Sequence, residues 1–211
     1  MPAALEGCKV IDLTRQMAGP YCTQILSDFG AEVIKIESIE RGDPCRVTGV
    51  DFYGDESALF LMWNHGKRSM AVDLHTKDGL DLVKSLVESA DILVENFRPG
   101  VAQDIGLGYE VLAEINSKLI YCSVSGFGPE GPLADLPATD PVIQAMSGVM
   151  SVTGVTKDNP VLVGIPIADF TAALLCVQGA LLGLLAREKT GQGQKIDISM
   201  LDGLVSALST R

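Results

Sequence analysis

Two short apolar runs near the start of the chain flank a segment of helical length, and this arrangement constrains the fold more than any other feature. Residues 9–13 (KVIDL) and 31–37 (AEVIKIE) have the composition of buried strands. Pro20 suits the first position of a helix that continues to about Phe29, and Gly30 ends that helix. Two strands on either side of one helix, within about 30 residues, predict a parallel pair joined by a right-handed crossover.

The same alternation of strand and helix continues along the chain. Further strands are predicted at 70–74, 91–97, 119–125 and 195–199, and helices at 77–89, 109–116, 140–150 and 200–210. This order predicts an α/β fold of Rossmann-like type, with a mostly parallel sheet and helices on both faces. The first turn lacks a G-x-G-x-x-G motif, so no dinucleotide fingerprint is present. Residues 38–57 are polar and predict a long surface loop.

Composition narrows the classes of function. The formal net charge of −11 argues against a nucleic-acid partner, which requires a basic face. Five scattered cysteines without a C-x-x-C pair indicate reduced thiols and a cytoplasmic protein, and the first residues do not resemble a secretory signal. Two histidines, His65 and His75, are too few for a histidine-built metal site, so no metal is expected.

A long apolar segment, residues 171–185, follows the single carboxylate of Asp169. The segment is shorter than the roughly 20 apolar residues that a bilayer crossing needs, so no membrane partner is expected, and it predicts a helix buried on most sides. Asp169 has two interpretations. It either caps the helix, or the helix dipole and backbone N–H groups hold its carboxylate ready as a nucleophile.

Basic and polar side chains near strand ends are candidates for ligand binding. Lys67 and Arg68 precede a strand and form either an anion site or a solvated pair at a loop edge. Arg15 follows the first strand, and residues 96–98 (Asn-Phe-Arg) follow another. Ligands of open α/β sheets bind beyond the carboxyl ends of the strands, which favours a site at these positions.

The chain resembles the class III CoA-transferases, the family of formyl-CoA:oxalate and carnitine CoA-transferases and the related α-methylacyl-CoA racemases. The resemblance covers essentially the whole chain and rests on the segments GCKVIDLTRQMAGPYCTQILSDFGAEVIKIE, NHGKRSMAVDL, DILVENFRPG, LIYCSVSGFGPEGP, QAMSG, IADFTAA and EKTGQGQKIDISM. It implies that Asp169 is catalytic. It also implies that coenzyme A is a substrate and that no cofactor is permanently bound.

The resemblance further implies which residues contact coenzyme A. These are Met17, Ala18, Val72, His75, Asn96, Phe97 and Arg98. Three basic positions of the formyl-CoA enzymes are absent, because Ser38, Asp104 and Pro137 stand there instead. Lys67, Arg68 or Arg98 are expected to substitute for them as phosphate contacts. Met17 replaces an active-site glutamine of those enzymes, so the resemblance does not imply oxalate or formate as the substrate.

Members of this family are about twice as long as this chain. The resemblance therefore makes residues 1–211 the amino-terminal portion of the large domain, without the small domain and the returning carboxy-terminal segment. It also implies that the full-length form is a homodimer of interlocked chains.

The function that follows from the resemblance is transfer of coenzyme A from an acyl-CoA to a small carboxylic acid, through an anhydride and a thioester of Asp169. Two alternatives remain open. One is a racemase-type isomerase, although Thr139 stands where the racemases carry a histidine. The other is a non-catalytic fragment that binds coenzyme A or serves only in assembly.

Overall fold

A computed structural model of the chain describes residues 2–154, 156 and 158–209. Its central feature is a six-stranded sheet in which every neighbouring pair of strands is parallel. In chain order, the strands of the described residues are β1 Lys9–Asp12, β2 Glu32–Glu37, β3 Phe52–Tyr53, β4 Glu56–Ser57, β5 Arg68–Ala71, β6 Ile92–Glu95, β7 Ile120–Ser125 and β8 Gln194–Ser199. Strands β3 and β4 form a separate antiparallel hairpin.

The strand order confirms the predicted fold class. Across the large sheet the order is β5-β2-β1-β6-β7-β8, which is the doubly wound arrangement of Rossmann-type folds. The direction of winding reverses between β1 and β6, so the loops after these two strands diverge and leave a crevice. The sequence therefore predicted both the fold and the edge of the sheet at which a ligand site is expected.

Helices cover both faces of the sheet, as predicted. They are α1 Ala18–Asp28, α2 Ala58–Asn64, α3 Lys77–Val87, α4 Val101–Asp104, α5 Tyr109–Ile115, α6 Asp140–Ser147, α7 Val149–Thr153, α8 Ile167–Thr190 and α9 Met200–Ala207. One buried cluster joins α1, α6, α8 and α9 to one face, and a second joins α3 and α5 to the other. Alternate residues of β1 divide between them, with Val10 in the first cluster and Ile11 in the second.

The burial predicted for the long apolar segment is only partly correct. Small residues of α8, among them Ala172, Cys176 and Ala180, are fully buried against α1 and the sheet. Leu174 and Leu182, in contrast, are 54% and 56% exposed. By length and hydropathy alone α8 resembles a membrane span, but in the described structure the side with its small residues packs into the core, together with Val177 and Leu184. The leucine side of α8, formed by Leu174, Leu181, Leu182 and Leu185, is exposed in the described structure.

Several predicted boundaries differ from those observed. The predicted helix at 140–150 is broken at Gly148, which adopts a left-handed conformation and separates α6 from α7. Helix α1 begins two residues before Pro20, and β5 begins at Arg68 and ends at Ala71 rather than spanning 70–74. The last helix ends at Ala207, and the Thr210 end of its predicted range lies outside the described residues.

The prediction that residues 38–57 form a surface loop is wrong for its middle part. A short 3-10 helix, Pro44–Val47, begins after Asp43, and both Asp43 and Cys45 are buried. The carboxylate of Asp43 lies 2.9 Å from the ammonium group of Lys35, which is also buried. The loop is therefore fastened beneath the carboxyl edge of the sheet, because a buried charge is stable only with a partner.

Candidate active site

A cavity of about 570 Å³ opens at the carboxyl edge of the sheet, where the winding reverses. The turn after β1 and the loop after β6 form one side, and the start of α6 and the first turn of α8 form the other. The side chains considered below that line the cavity are Arg15, Gln16, Ala18, Asn96, Phe97, Arg98, Thr139, Asp140 and Asp169. Six residues predicted from the sequence therefore converge here, namely Arg15, Ala18, Asn96, Phe97, Arg98 and Asp169.

Asp169 lies in the first turn of α8 but does not cap it. The residue before the helix is Pro166, and Asp169 is the third helical position. The capping role belongs to Asp140, whose Oδ1 accepts hydrogen bonds from the backbone N–H groups of Ala168, at 2.7 Å, and Asp169, at 3.3 Å. The cap interpretation of Asp169 is thus wrong. Its carboxylate is left available to a ligand because another residue satisfies the helix start.

Asp140 is held by a network of its own. The Nε2 of Gln144 donates to Oδ2 of Asp140 at 2.6 Å and to the carbonyl of Ile165 at 3.3 Å. The Oε1 of Gln144 accepts from the backbone N–H of Val163 at 2.9 Å. These bonds tie α6 to the loop that enters α8, so the position of Asp169 depends on both elements.

The environment of Asp169 changes its acidity. Burial, and secondly the nearby Asp140 carboxylate, raise the pKa of Asp169 from 3.8 to about 7. A carboxyl with a pKa near neutrality is a stronger base and nucleophile than a solvated one, and it still ionises at physiological pH. Such a shift in a cavity is typical of functional sites.

Three aromatic rings pack at the first turn of α8, the turn that carries Asp169. Phe170 meets Tyr21 of α1 and Trp63 of α2 in edge-to-face geometry, with ring centroids 5.1 and 5.7 Å apart. Tyr21 and Trp63 also meet each other at 5.0 Å. The cluster fixes the first turn of α8 against two other helices and shields one side of it from water.

The turn after β1 has an unusual backbone. Gln16 has φ +67°, the one left-handed non-glycine conformation in the described part of the chain. Its N–H donates to Oδ1 of Asp43 at 3.2 Å, and its carbonyl accepts from Sγ of Cys45 at 3.3 Å. Burial raises the pKa of Cys45 to about 11, so the group remains a thiol that can donate. The strained turn is therefore held by a loop that the sequence predicted to be on the surface.

Met17 and Ala18 follow this turn at the start of α1. Ala18 lines the cavity, whereas Met17 precedes the helix with its side chain nine-tenths buried. Val72 lies in the core beyond β5, where its backbone N–H donates to the carbonyl of Glu37. His75 is exposed, and neither it nor Val72 lines the cavity. Their predicted contact with coenzyme A stays a prediction.

The geometry corrects the predicted role of Lys67. Its side chain is 1% exposed, and Nζ donates to Oδ2 of Asp12 at 3.0 Å, to the carbonyl of Pro20 at 2.8 Å and to Oδ1 of Asn64 at 2.8 Å. All three donors of the ammonium group are used, so none is left for a phosphate. Lys67 is neither an anion site nor a solvated residue, but an internal cation.

Arg68 also has another partner. Its guanidinium is exposed and lies 2.7 Å from Glu32. Both residues stand at the amino ends of their strands, on the opposite edge of the sheet from the cavity. Arg68 is therefore not placed to contact a ligand there, and of the three basic residues predicted as phosphate contacts only Arg98 lines the cavity.

The sequence did not identify three residues as site residues, namely Gln16, Asp140 and Cys45. Asp140 begins a helix next to Pro141, a pattern that predicts a cap for its own helix rather than for α8. Its action on α8 depends on a contact 28 residues distant along the chain. Gln16 and Cys45 lie in segments without periodic signals, and their pairing is a product of the tertiary fold.

The architecture and site define an α/β protein in which one carboxylate of raised pKa, Asp169, lines a cavity where the winding of a doubly wound sheet reverses. The family model of CoA-transferase family III matches residues 5–211, and the chain belongs to this family.

Curated relatives and a solved structure agree. The chain is 41% identical to human succinyl-CoA:glutarate CoA-transferase, over 97% of this chain and 47% of the relative. It is 45% identical to acetyl-CoA:oxalate CoA-transferase of Acetobacter aceti, over 96% of this chain and 52% of the relative. A CAIB/BAIF family protein from Brucella suis superposes with a TM-score of 0.95 at 41% identity, over 100% of this chain and 56% of that one. The chain spans about half the length of the curated relatives it matches.

Proposed function

We propose that the complete protein transfers coenzyme A from an acyl-CoA thioester to a carboxylic acid, with Asp169 as the nucleophile. The observation that carries this proposal is a half-buried carboxylate, with its pKa raised to about 7, that lines the cavity and is relieved of capping by Asp140. The relatives named as CoA-transferases support the same class of reaction. No histidine lines the cavity in the described residues, which favours group transfer over proton abstraction by the racemase route.

The first half of the reaction forms an aspartyl thioester. The ionised carboxylate of Asp169 attacks the thioester carbonyl and the C–S bond breaks. This step forms a mixed anhydride between Asp169 and the donor acid, and it releases the CoA thiolate. The thiolate then attacks the aspartyl carbonyl, which releases the donor acid as its carboxylate. Close positioning and stabilisation of the developing oxyanion are needed, because a carboxylate is a weak nucleophile.

The second half reverses these steps with the acceptor. The acceptor carboxylate attacks the aspartyl thioester and expels the CoA thiolate, which gives a second anhydride. Attack of the thiolate on the acceptor acyl carbon yields the new acyl-CoA and regenerates Asp169. Both anhydrides react with water, so a first turn of α8 that the aromatic cluster of Tyr21, Trp63 and Phe170 shields from water on one side suits this chemistry.

We further propose that Ala18, Asn96, Phe97 and Arg98 contact coenzyme A, since they line the same cavity as Asp169. By resemblance to the family, the complete protein is proposed to be an interlocked homodimer.

The five cysteines form no disulfide, which supports the proposal of a reducing, cytoplasmic location.

The nucleophile is tested by trapping. Incubation of the complete protein with acyl-CoA and hydroxylamine is expected to convert Asp169 to a hydroxamate, detected by mass spectrometry of its peptide. Asp169→Asn is expected to abolish transfer and leave folding intact, because Asp140 still caps α8. Asp202→Asn is the matched control, since Asp202 is the third residue of α9 and lies outside the cavity. Full transfer by Asp169→Asn would refute the assignment.

A further inference from the structure

Two arginines, Arg15 and Arg98, are the basic residues that line the active-site cavity. Neither forms an ion pair with a carboxylate in the described part of the chain, whereas Arg46, Arg68 and Arg187 do. A cation without an internal partner, at the wall of a ligand cavity, is available to an anionic group of a ligand.

Arg15 is the better fixed of the two. Its backbone N–H donates to Oδ1 of Asn96 at 2.9 Å, and Nδ2 of Asn96 donates back to the carbonyl of Arg15 at 2.8 Å. Its guanidinium carbon lies 5.9 Å from the centroid of the Phe97 ring. These contacts join the turn after β1 to the loop after β6 and fix the backbone of Arg15 where the winding of the sheet reverses. The guanidinium itself is exposed and lies near the Phe97 ring at the wall of the cavity.

The other charged residues of the cavity affect which acids Arg15 can favour. The acidic lining residues are Asp140 and Asp169, and the whole chain has a formal net charge of −11. An acid that enters the cavity is therefore repelled by Asp140 and Asp169 when they are ionised and attracted by the two arginines. An acid with a single carboxylate must bring that group to Asp169 and has no charge left for Arg15.

We infer that Arg15 determines specificity by binding the carboxylate of the acceptor that does not react, and that the preferred acceptor is a dicarboxylic acid. The bidentate guanidinium anchors one carboxylate while the other reaches the aspartyl thioester. Binding energy from the remote group is then used to orient the reacting group. This inference rests on the proposed function, because it takes Asp169 as the reacting centre.

The test compares two acceptors of equal chain length, succinate and butyrate, with acetyl-CoA as donor and the complete protein as enzyme. Arg15→Met keeps an apolar stem beside Phe97 and removes the charge. It is expected to raise KM for succinate by roughly 10- to 100-fold, the loss associated with one charge-assisted contact, and to leave butyrate and acetyl-CoA within about twofold. Arg15→Lys is expected to recover part of the effect. Lys189→Met, in the last turn of α8, is the charge-matched control.

Calorimetric titration of succinate and butyrate into the same proteins measures the affinity of each acid in the absence of catalysis. Succinate is expected to bind the wild type more tightly than butyrate, and Arg15→Met is expected to remove that preference. An unchanged preference in this variant, or equal binding of both acids to the wild type, would overturn the inference. So would a rise in KM for acetyl-CoA alone, which would assign Arg15 to a phosphate of coenzyme A. Failure of the proposed function is distinguishable, because it shows as absence of transfer with every acceptor.

Discussion

At the scale of single residues, the site separates two tasks that the sequence assigned to one side chain. Asp169 was expected either to cap α8 or to react, and the structure gives the cap to Asp140. A residue that accepts the backbone N–H groups of its own helix is stabilised as an anion and loses basicity. Transfer of the cap to Asp140 leaves Asp169 with a raised pKa, and it adds the like charge that helps to raise it.

The first prediction concerns the pH dependence of transfer. Because Asp169 must be ionised to attack, the rate of acylation is expected to rise with pH through about 7, the pKa of Asp169. Asp140→Asn keeps a capping side chain and removes the like charge, so the midpoint is expected to move to lower pH. It should stay above 3.8, since burial is the larger cause of the shift. Single-turnover acylation measured from pH 5 to 9 checks both. A midpoint that does not move in the variant would contradict the role of Asp140.

The second prediction concerns stability. The folded protein holds the Asp169 proton more tightly than the unfolded chain, because the pKa is raised from 3.8 to about 7. The favourable contribution is fully present below pH 3.8 and is lost as pH rises through 7. Asp169→Asn cannot ionise, so at pH 8 it is expected to be more stable than the wild type by on the order of 2 kcal/mol. Urea unfolding at pH 4 and pH 8 measures this, and an equal difference at both would contradict it.

At the scale of elements, strand and helix were predictable because their periods are local. The ion pairs that fasten them were not. Lys67 and Asp12 are 55 residues apart, and the sequence alone shows Lys67 next to Arg68, which predicted either an anion site or a solvated pair. Lys67 lies between α2 and β5, and the fold places its side chain against the start of α1 and the end of β1. There its ammonium group contacts Asn64 of α2, Pro20 of α1 and Asp12 of β1. The periodicity of the sequence therefore predicted the sheet and the point where its winding reverses, but it did not predict the buried ion pairs.

The third prediction concerns this internal pair. Burial tends to raise the pKa of Asp12, but Lys67, Lys35 and the hydroxyls of Thr14 and Thr23 outweigh it and hold the pKa well below its usual range. Lys67→Met removes one partner and leaves a buried carboxylate, so the expected loss of stability is about 3–5 kcal/mol. The double variant with Asp12→Asn should recover most of the loss, as measured by urea unfolding. A loss below about 1 kcal/mol, as expected for an exposed pair, would contradict the burial.

The fourth prediction concerns the seating of α8 on the sheet. A Cβ at Gly183 would lie 2.9 Å from Cγ2 of Ile120 and 3.1 Å from Cδ1 of Ile196. Gly183→Val is therefore expected to push the helix from β7 and β8 and to cost about 1–3 kcal/mol. Gly164 has ordinary backbone angles and open space, so Gly164→Ala is the control and should be neutral within about 0.5 kcal/mol. Thermal unfolding of both variants measures these changes in stability. A stabilised Gly183→Val would show that position 183 is not in close contact with Ile120 and Ile196.

At the scale of the whole molecule, the described structure buries its sheet on both faces but leaves the leucine side of α8 uncovered. Leu174, Leu181, Leu182 and Leu185 are each between 43% and 56% exposed. The sequence predicted this helix to be buried on most sides, since it is apolar all round. This exposure of apolar side chains on one face of a long helix is a feature typical of interaction surfaces.

The fifth prediction follows from that face. Residues 1–211 produced as an isolated polypeptide are expected to self-associate, because an apolar patch of this kind is exposed to water. Leu181→Gln should reduce the association. Leu82→Gln should not, although Leu82 on α3 has the same 43% exposure, because it is not part of the leucine side of α8. Light scattering across a concentration series distinguishes the two variants. A monodisperse monomer with a sharp thermal transition would show instead that α8 tolerates its exposed leucines, and that the sheet and its two layers of helices are stable without a cover.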